Sequence, residues 1–200
     1  MATAAALDWQ GATGYRPAMS QIDIRAFLPA DRDWLAAAHA QHCARDAGFD
    51  DSFGVLVAQI LDEFIAQHDL AAERGWIAWA GDVRLGSVFC VRLDSTTAKL
   101  RLFLLAPQAR GQGLGRLLLE TCTGFARGCG YRSMKLWTDK SHQAACALYR
   151  RNGWVLSGEK PVVNYGQSLV EQTFMLDLAG LPQTVQKNPE GRVEKPRDRS

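Results

Sequence analysis

The sequence predicts an α+β fold built on one mixed, mostly antiparallel β-sheet. Three observations support this prediction. Segments typical of strands and of helices follow one another in the order βααβββαβαββ. A Gly81-Asp82 turn joins two of the strand segments as a hairpin. The chain has 200 residues, of which 47% are hydrophobic, and this length suits a single domain with a self-sufficient core.

The first part of the chain predicts one strand and two helices. Residues 22–27 alternate between apolar and polar, which is typical of a strand. A first helix follows, with Asp31 as its expected N-cap and Gly48 at its end. A second helix begins at 50–52, where apolar residues start to recur at steps of three and four.

The remaining elements alternate more quickly. Strands at 75–80 and 84–93 flank the hairpin turn, and an apolar central strand follows at 98–106. A long helix ends at 128–130, and a strand at 133–138 precedes a short helix around Tyr149. Strands near 154–158 and 169–178 complete the sheet.

Composition argues against several classes of protein. The net charge of +2 gives no reason to expect a nucleic-acid or anionic-membrane partner. The five cysteines are odd in number and have no metal-binding spacing, so we expect reduced thiols, no metal and a cytoplasmic location. No segment approaches the roughly 20 apolar residues that a membrane helix needs.

The two ends of the chain differ in composition from its centre. Residues 1–20 are rich in alanine and glycine and lack the pattern of a secretion signal, so we expect a flexible lead-in. Residues 179–200 contain three prolines and many charges, which is typical of a disordered tail. Residues 21–178 then form the single domain.

A glycine-rich turn connects the central strand to the long helix. It reads Arg110-Gly111-Gln112-Gly113-Leu114-Gly115, with Arg116 following. A helix N-terminus offers free backbone N–H groups and the positive end of the helix dipole, and glycines let an anion approach closely. The turn therefore predicts a phosphate cradle, although its spacing fits neither the Rossmann nor the P-loop pattern. A tight turn without a ligand is the alternative.

Two signatures in this order resemble a known family. The pattern Arg110-x-x-Gly113-x-Gly115 resembles the acyl-CoA pyrophosphate loop of the GNAT superfamily of N-acetyltransferases. About 35 residues later, Ala145-x-x-Leu148-Tyr149-x-x-x-Gly153-Trp154 resembles a second signature of that superfamily. A narrower likeness, to the acetyltransferase halves of bacterial MarR–GNAT fusion proteins, rests on residues 76–78, 86–91, 136–138 and 164–174 and extends over about 22–178.

The resemblance implies a three-layer fold and a site for acetyl-CoA as cosubstrate. In the superfamily two neighbouring strands diverge in a V-shape, and the acetyl thioester lies between them. Pantetheine would bond the backbone of Leu104 and Leu105, and the N–H near Leu105 would stabilise the oxyanion. The pyrophosphate would bind at Arg110, Gly111, Gln112, Gly113, Leu114 and Gly115. The acceptor amine would attack the thioester directly, with no acyl-enzyme.

Two side chains near the second signature have competing interpretations. The resemblance implies that Tyr149 donates a proton to the leaving CoA thiolate, whereas an aromatic plug between helix and sheet is the alternative. Many relatives carry an Asn seven residues before this Tyr, where this chain has His142. His142 either hydrogen-bonds pantetheine in place of that Asn or only starts the helix.

The acceptor side of the site is less defined. Regular alternation places Lys99 and Arg101 on one face of the central strand with Phe103, and Leu100, Leu102 and Leu104 on the other. The two cations are either solvated on an open sheet face, or Arg101, assisted by Arg92, binds an acceptor carboxylate. Candidates for the general base are Asp62, Glu63, His39 and Glu171, with a water chain as the alternative.

These features together predict an acetyl-CoA-dependent N-acetyltransferase that acts on the primary amine of a small molecule, such as an amino acid or another carboxylate-bearing amine. In the superfamily the two early helices wall the acceptor pocket. A protein or peptide N-acetyltransferase and a non-catalytic acyl-CoA sensor are the alternatives. Apolar residues near the last strands would permit a homodimer.

Overall fold

The computed structural model describes residues 21–179, and its elements follow the predicted order. The strands are β1 (Ile22–Ala26), β2 (Arg74–Ala80), β3 (Val83–Arg92), β4 (Thr97–Leu105), β5 (Ser133–Asp139), β6 (Val155–Asn164) and β7 (Gln167–Asp177). The helices are α1 (Arg32–Ala47), α2 (Asp51–Gln67), α3 (Leu114–Gly128) and α4 (Gln143–Arg151). The predictions for 1–20 and, apart from Ala179, for 179–200 concern residues outside the described range. Within 21–179, no helix is both long enough and apolar enough to cross a membrane.

The sheet is mixed and mostly antiparallel, as predicted. Its strand order is β1-β2-β3-β4-β5-β7-β6, and β4 with β5 is the parallel pair among the described strands. Strand β6 is twice as long as predicted, because β6 and β7 pair along their whole length up to the turn at Tyr165-Gly166. Pro161 is tolerated there because β6 is an edge strand.

Helices cover both faces of the sheet, which gives the predicted three layers. One core packs α3 and α4 against the sheet and includes Leu118, Met134 and Phe174. The other packs α1 and α2 against the opposite face and includes Leu35, Leu61 and Phe89. The cysteines within 21–179 are free thiols, and Cys90, Cys122 and Cys146 are buried, as their apolar surroundings predict.

The regular alternation predicted for the central strand is wrong, because β4 contains a β-bulge. Leu102 has a φ of 51°, and the pairing register shifts between Ser87 and Phe89 of β3. The two residues Leu102 and Phe103 therefore stand opposite one residue of β3. As a result Leu102 packs in the α1–α2 core, whereas Phe103 packs against the α3–α4 core.

The helix ends follow their predictions with one exception. Gly48 ends α1 with a φ of 69°, and the Asp50 carboxylate accepts a hydrogen bond from the Ser52 amide at 3.0 Å to cap α2. Asp31 occupies the N-cap position of α1, but its side chain does not cap that helix. It accepts instead from the Leu28 amide at 3.0 Å and pairs with Arg84 at 2.9 Å, because a buried carboxylate gains more from a cation.

Candidate active site

The candidate site begins where β4 and β5 diverge. Their parallel pairing covers only Thr97–Lys99 on β4 and Ser133–Lys135 on β5. Beyond Lys135, β5 stays paired with β7 as far as Asp139. The edge of β4 that includes Leu104 and Leu105 therefore has no strand partner on the β5 side among the described residues. This divergence is the V-shaped opening that the family resemblance implied.

The glycine-rich turn lies at the end of this opening. Gly111 and Gly113 have φ values of 73° and 90°, and no heavy atom lies within 4 Å of a Cβ added at either position. Helix α3 begins at Leu114, so its first N–H groups face the same turn. The backbone conformation required of these glycines and the open space above them are those of an anion cradle.

Other residues of the turn have roles within the protein. Leu114 is fully buried in the core, so its side chain serves packing. A Cβ on Gly115 would meet Leu148 Cδ2 at 2.9 Å and Leu105 Cδ1 at 3.0 Å, so Gly115 serves close packing of α3. The Gln112 side chain donates a hydrogen bond to the Gln108 carbonyl.

The two arginines that were expected to add charge to the turn both have protein partners. Arg110 donates to the Leu105 carbonyl at 3.2 Å and to the Asp46 carboxylate on α1 at 3.1 Å. Arg116 pairs with Glu120 at 2.7 Å along the exposed side of α3. Arg110 thus links the turn to α1, and Arg116 contributes charge at a surface position.

Tyr149 lines a cavity of about 350 Å³ between β4, β5, α1 and α2. The side chain is 4% exposed and packs against Phe103, Trp154 and Phe174 at ring-centroid distances of 5.7–6.1 Å. Burial, with a smaller effect of Cys146, raises the pKa of the phenol, so it stays protonated at ordinary pH. Tyr149 therefore packs as a core residue and also lines the cavity.

Lys99 and Arg101 line the same cavity and are half-buried. Helices α1 and α2 pack against this face of the sheet, so the two cations line a cavity rather than an open face. Burial lowers the pKa of both groups, and Arg101 lowers that of Lys99 further. Lys99 lies 4.5 Å from the centre of the Trp137 ring. Glu171 and Asp139 line the same cavity, so its lining carries two cations and two carboxylates.

Arg92 does not join Arg101 in this cavity. Its guanidinium pairs with Asp69 at 2.7 Å, and it lines a smaller cavity that Arg101 also lines. In the main cavity the cations that accompany each other are Arg101 and Lys99. The bulge at Leu102 follows directly after this pair of cations.

Of the four candidates for the general base, two line the main cavity and two do not. Asp62 is exposed and pairs with Arg32 at 2.6 Å, and Glu63 lines only the smaller cavity. His39 and Glu171 line the main cavity, and Glu171 also pairs with Lys160 at 3.0 Å. Burial, and to a smaller extent His42, lowers the pKa of His39 to about 4, while the Leu102 carbonyl partly offsets this. His39 is thus a neutral imidazole at pH 7.

His142 both starts helix α4 and faces the cavity. It occupies the N-cap position of α4, and its side chain makes no capping hydrogen bond. Its ring lines the cavity with its centroid 6.5 Å from that of Phe49. His142 can therefore start α4 and still present its ring to the cavity, so the two interpretations of this residue are compatible.

The cavity has a roof that the sequence analysis did not identify. The Asp50 amide donates to the Tyr165 carbonyl at 3.1 Å, and Gln167 Nε2 donates to the Gly48 carbonyl at 2.9 Å. These bonds dock the β6–β7 turn onto the α1–α2 connection. Gly166 is compatible with a turn between two strands, but the segment lacks the Asn-Gly or Asp-Gly of a strong hairpin signal, and its docking partner is more than 100 residues away in sequence.

Comparison with known proteins identifies the family. The model of the acetyltransferase (GNAT) family matches residues 31–154, which is more than half of the chain, so this protein belongs to that family. Rat N-acetyltransferase 8F1 is 33% identical over 106 residues, which are 50% of this chain and 48% of that protein. The 5-NmdU N-acetyltransferase of Pseudomonas phage PaMx11 is 30% identical over 96 residues, 46% of this chain and 65% of that protein. The chain thus spans about half the length of the rat relative.

Solved structures share the fold. A spermidine N-acetyltransferase from Vibrio cholerae in complex with CoA and spermine has a TM-score of 0.63 and 19% identity, and the match covers 80% of this chain and 97% of that chain. The Salmonella typhimurium protein yncA, with its cofactor acetyl-CoA, has a TM-score of 0.67 and 20% identity over 84% and 99% of the two chains. These similarities show that the sheet, its divergence and its helical layers are those of GNAT acetyltransferases.

Proposed function

We propose that this protein transfers an acetyl group from acetyl-CoA to the primary amine of a small molecule that also carries a carboxylate. The observation behind this proposal is the roofed cavity beside the divergent strands, which Lys99, Arg101 and Tyr149 line together. Family membership supports the class of reaction, and the charges in the cavity support the class of acceptor.

The described residues fit acetyl-CoA. The open backbone of Gly111 and Gly113 at the start of α3 suits the pyrophosphate, and the unpaired edge of β4 at Leu104 and Leu105 suits the pantetheine amides. Arg110 is near enough to the turn to pair with a phosphate, in exchange for Asp46. Acetyl-CoA supplies the acetyl thioester. Within residues 21–179 no group of three or more His, Cys, Asp or Glu side chains is arranged to hold a metal ion.

The side chains divide the chemistry between them. The acceptor nitrogen forms a bond to the acetyl carbon, and the bond from that carbon to sulfur breaks. Tyr149, kept neutral by its burial, gives its proton to the leaving sulfur. The proton lost by the amine passes to His39, to Glu171 or to water, which are the acceptors that face the cavity. Backbone N–H groups of β4 near Leu105 stabilise the negative charge that develops on the carbonyl oxygen.

The cavity lining carries charges of both signs, which suits an acceptor with both a carboxylate and an amine. Lys99 and Arg101 can pair with the carboxylate, and Glu171 and Asp139, which line the same cavity, can attract the ammonium group. The Vibrio cholerae protein of this fold is a spermidine N-acetyltransferase, and a polyamine would offer the two cations no anionic partner. The Arg101 guanidinium can pair with a carboxylate in a bidentate manner and so fix the distance to the reacting amine. Amino acids and related amines satisfy both requirements.

The roof restricts how a protein acceptor could reach the cavity. The β6–β7 turn is hydrogen-bonded to the α1–α2 connection, so an extended peptide would have to pass this turn. A sensor without activity would not require a protonated Tyr149 beside the thioester. The relation to MarR–GNAT fusion proteins, the cytoplasmic location, the homodimer and the domain bounds of 21–178 remain predictions from the sequence.

A thiol-release assay tests the proposal. Acetyl-CoA is incubated with the protein and with amino acids, polyamines, aminoglycosides or peptides in turn. We expect turnover with carboxylate-bearing amines and little with spermidine. Arg101→Gln should raise the acceptor KM at least about tenfold and leave the acetyl-CoA KM unchanged, since one charge-assisted pair is lost.

Arg92→Gln is the matched control, because Asp69 holds its guanidinium outside the main cavity. It should leave both KM values unchanged. Equal changes in the two KM values for Arg101→Gln would contradict the carboxylate site. Transfer to proteins alone would favour the peptide alternative, and tight acetyl-CoA binding without turnover would favour the sensor.

A further inference from the structure

The β6–β7 turn has an unusual backbone for its sequence. Its two central residues, Tyr165 and Gly166, have φ values of 54° and 73°. Two-residue hairpin turns with positive φ at both positions strongly favour Asn-Gly or Asp-Gly. A bulky residue such as Tyr rarely adopts positive φ, and such outliers cluster at functional sites. The identity of residue 165 therefore needs an explanation other than turn formation.

The hydrogen bonds that dock the turn do not supply that explanation. They join the Tyr165 carbonyl to the Asp50 amide and the Gln167 side chain to the Gly48 carbonyl. Neither hydrogen bond uses the Tyr165 ring. An Asn at position 165 would keep both hydrogen bonds and would suit the backbone better.

The Tyr165 ring instead completes one side of the cavity. Its centroid lies 4.9 Å from that of Phe49 and 4.9 Å from that of Phe53, and the Phe49 and Phe53 centroids are 5.2 Å apart. All three rings line the cavity that also contains Lys99 and Arg101. We call Phe49, Phe53 and Tyr165 the aromatic wall. It comes from three separate elements: the α1–α2 connection, helix α2 and the β6–β7 turn.

We propose that the aromatic wall receives a bulky apolar side chain of the acceptor, so that the enzyme prefers amino acids with aromatic or large aliphatic side chains. This inference rests on the proposed function and makes its acceptor class narrower. The cations pair with the carboxylate, and the aromatic wall packs against the side chain. An acceptor with a small side chain would make no contact with the aromatic wall. An acceptor with a charged side chain would lose hydration there and gain no hydrogen-bond partner, so both kinds should bind more weakly.

The test compares Tyr165→Asn with Tyr165→Phe and the unchanged protein. The measured quantity is the ratio of kcat/KM for phenylalanine to kcat/KM for alanine in the thiol-release assay. We expect a ratio of at least about 10 in the unchanged protein. The phenylalanine side chain would bury much more apolar surface than the alanine methyl group, and each additional buried methylene-sized group favours binding. Tyr165→Phe should keep this ratio, and Tyr165→Asn should lower it about tenfold. Because Tyr165→Asn also removes the ring contacts with Phe49 and Phe53, the melting temperature of each variant is measured to show that it is folded at the assay temperature.

A binding measurement separates this inference from the proposed function. Calorimetric titration of phenylalanine and of alanine, with CoA present, should give the same preference even if no turnover occurs. Absence of turnover with every acceptor would refute the proposed function, while the calorimetric ratio would still decide the role of the aromatic wall. Equal affinities for the two amino acids, or a ratio that Tyr165→Asn leaves unchanged, would overturn the inference.

Discussion

Replacing His39 by Gln should make the protein less sensitive to mild acid. His39 lies on α1, is 6% exposed, and has a pKa lowered from 6.5 to about 4, mainly by burial. The unfolded chain therefore binds a proton between pH 6.5 and pH 4 that the folded protein does not bind. Stability is then fully present above pH 6.5 and falls as the pH decreases toward 4.

The size of the effect follows from these two values. The complete difference corresponds to about 3 kcal/mol in the free energy of unfolding, and about 2 kcal/mol of it is lost between pH 7.5 and pH 5. His42 is also buried, and burial, with Arg110 and Arg45, lowers its pKa to about 4, so the unchanged protein should lose more than His39 alone accounts for. The variant isolates the contribution of His39.

Urea unfolding at pH 7.5, 6 and 5 measures this contribution. The stability lost between pH 7.5 and pH 5 should be smaller by about 2 kcal/mol in His39→Gln than in the unchanged protein, with similar urea m-values. His42→Gln serves as the comparison, because its ring lies on the same helix. An identical pH dependence in the unchanged protein and in His39→Gln would refute the account of a neutral, buried His39.

Three further substitutions test the fold and the site. Gly115→Ala should lower the free energy of unfolding by about 1–3 kcal/mol, because its methyl group would lie 2.9–3.0 Å from two leucine side chains. Gly128→Ala is the control: it has open space around it and should raise the melting temperature slightly. Asp31→Asn should cost about 2–3 kcal/mol in urea unfolding, since it breaks a buried ion pair, while the exposed Asp33→Asn should change stability by less than about 0.5 kcal/mol. Tyr149→Phe should lower kcat about 10- to 1,000-fold with unchanged calorimetric binding of acetyl-CoA; undiminished turnover would remove its role as the acid.

The element order and the sheet type could be predicted because they depend on local patterns. Strand alternation, helical spacing and the glycines at 48, 81 and 153 all act within a few residues. The Arg110–Gly115 turn and Tyr149 were recognisable because their spacing carries a family resemblance. The places of both segments in the structure agree with that resemblance, and their roles stay proposals.

Features that depend on contacts between distant parts of the chain could not be predicted from the sequence. The bulge at Leu102 could not be seen in a run of leucines, because either face of β4 accepts a leucine. The Asp31 side chain left its expected cap for Arg84, which lies 53 residues further along the chain. The aromatic wall was missed because Phe49, Phe53 and Tyr165 meet only after the β6–β7 turn docks.

The short parallel pairing of β4 with β5 also divides the sheet into two mechanical units. Strands β1–β4 form one unit and β5–β7 the other, joined by a seam only three residues long. The six residues of β4 beyond the seam leave an open edge of about 20 Å. Each additional residue of pairing would strengthen the seam and shorten that edge by about 3.3 Å. The docked β6–β7 turn links the second unit to the α1–α2 connection, and the candidate cavity lies where the sheet is least continuous.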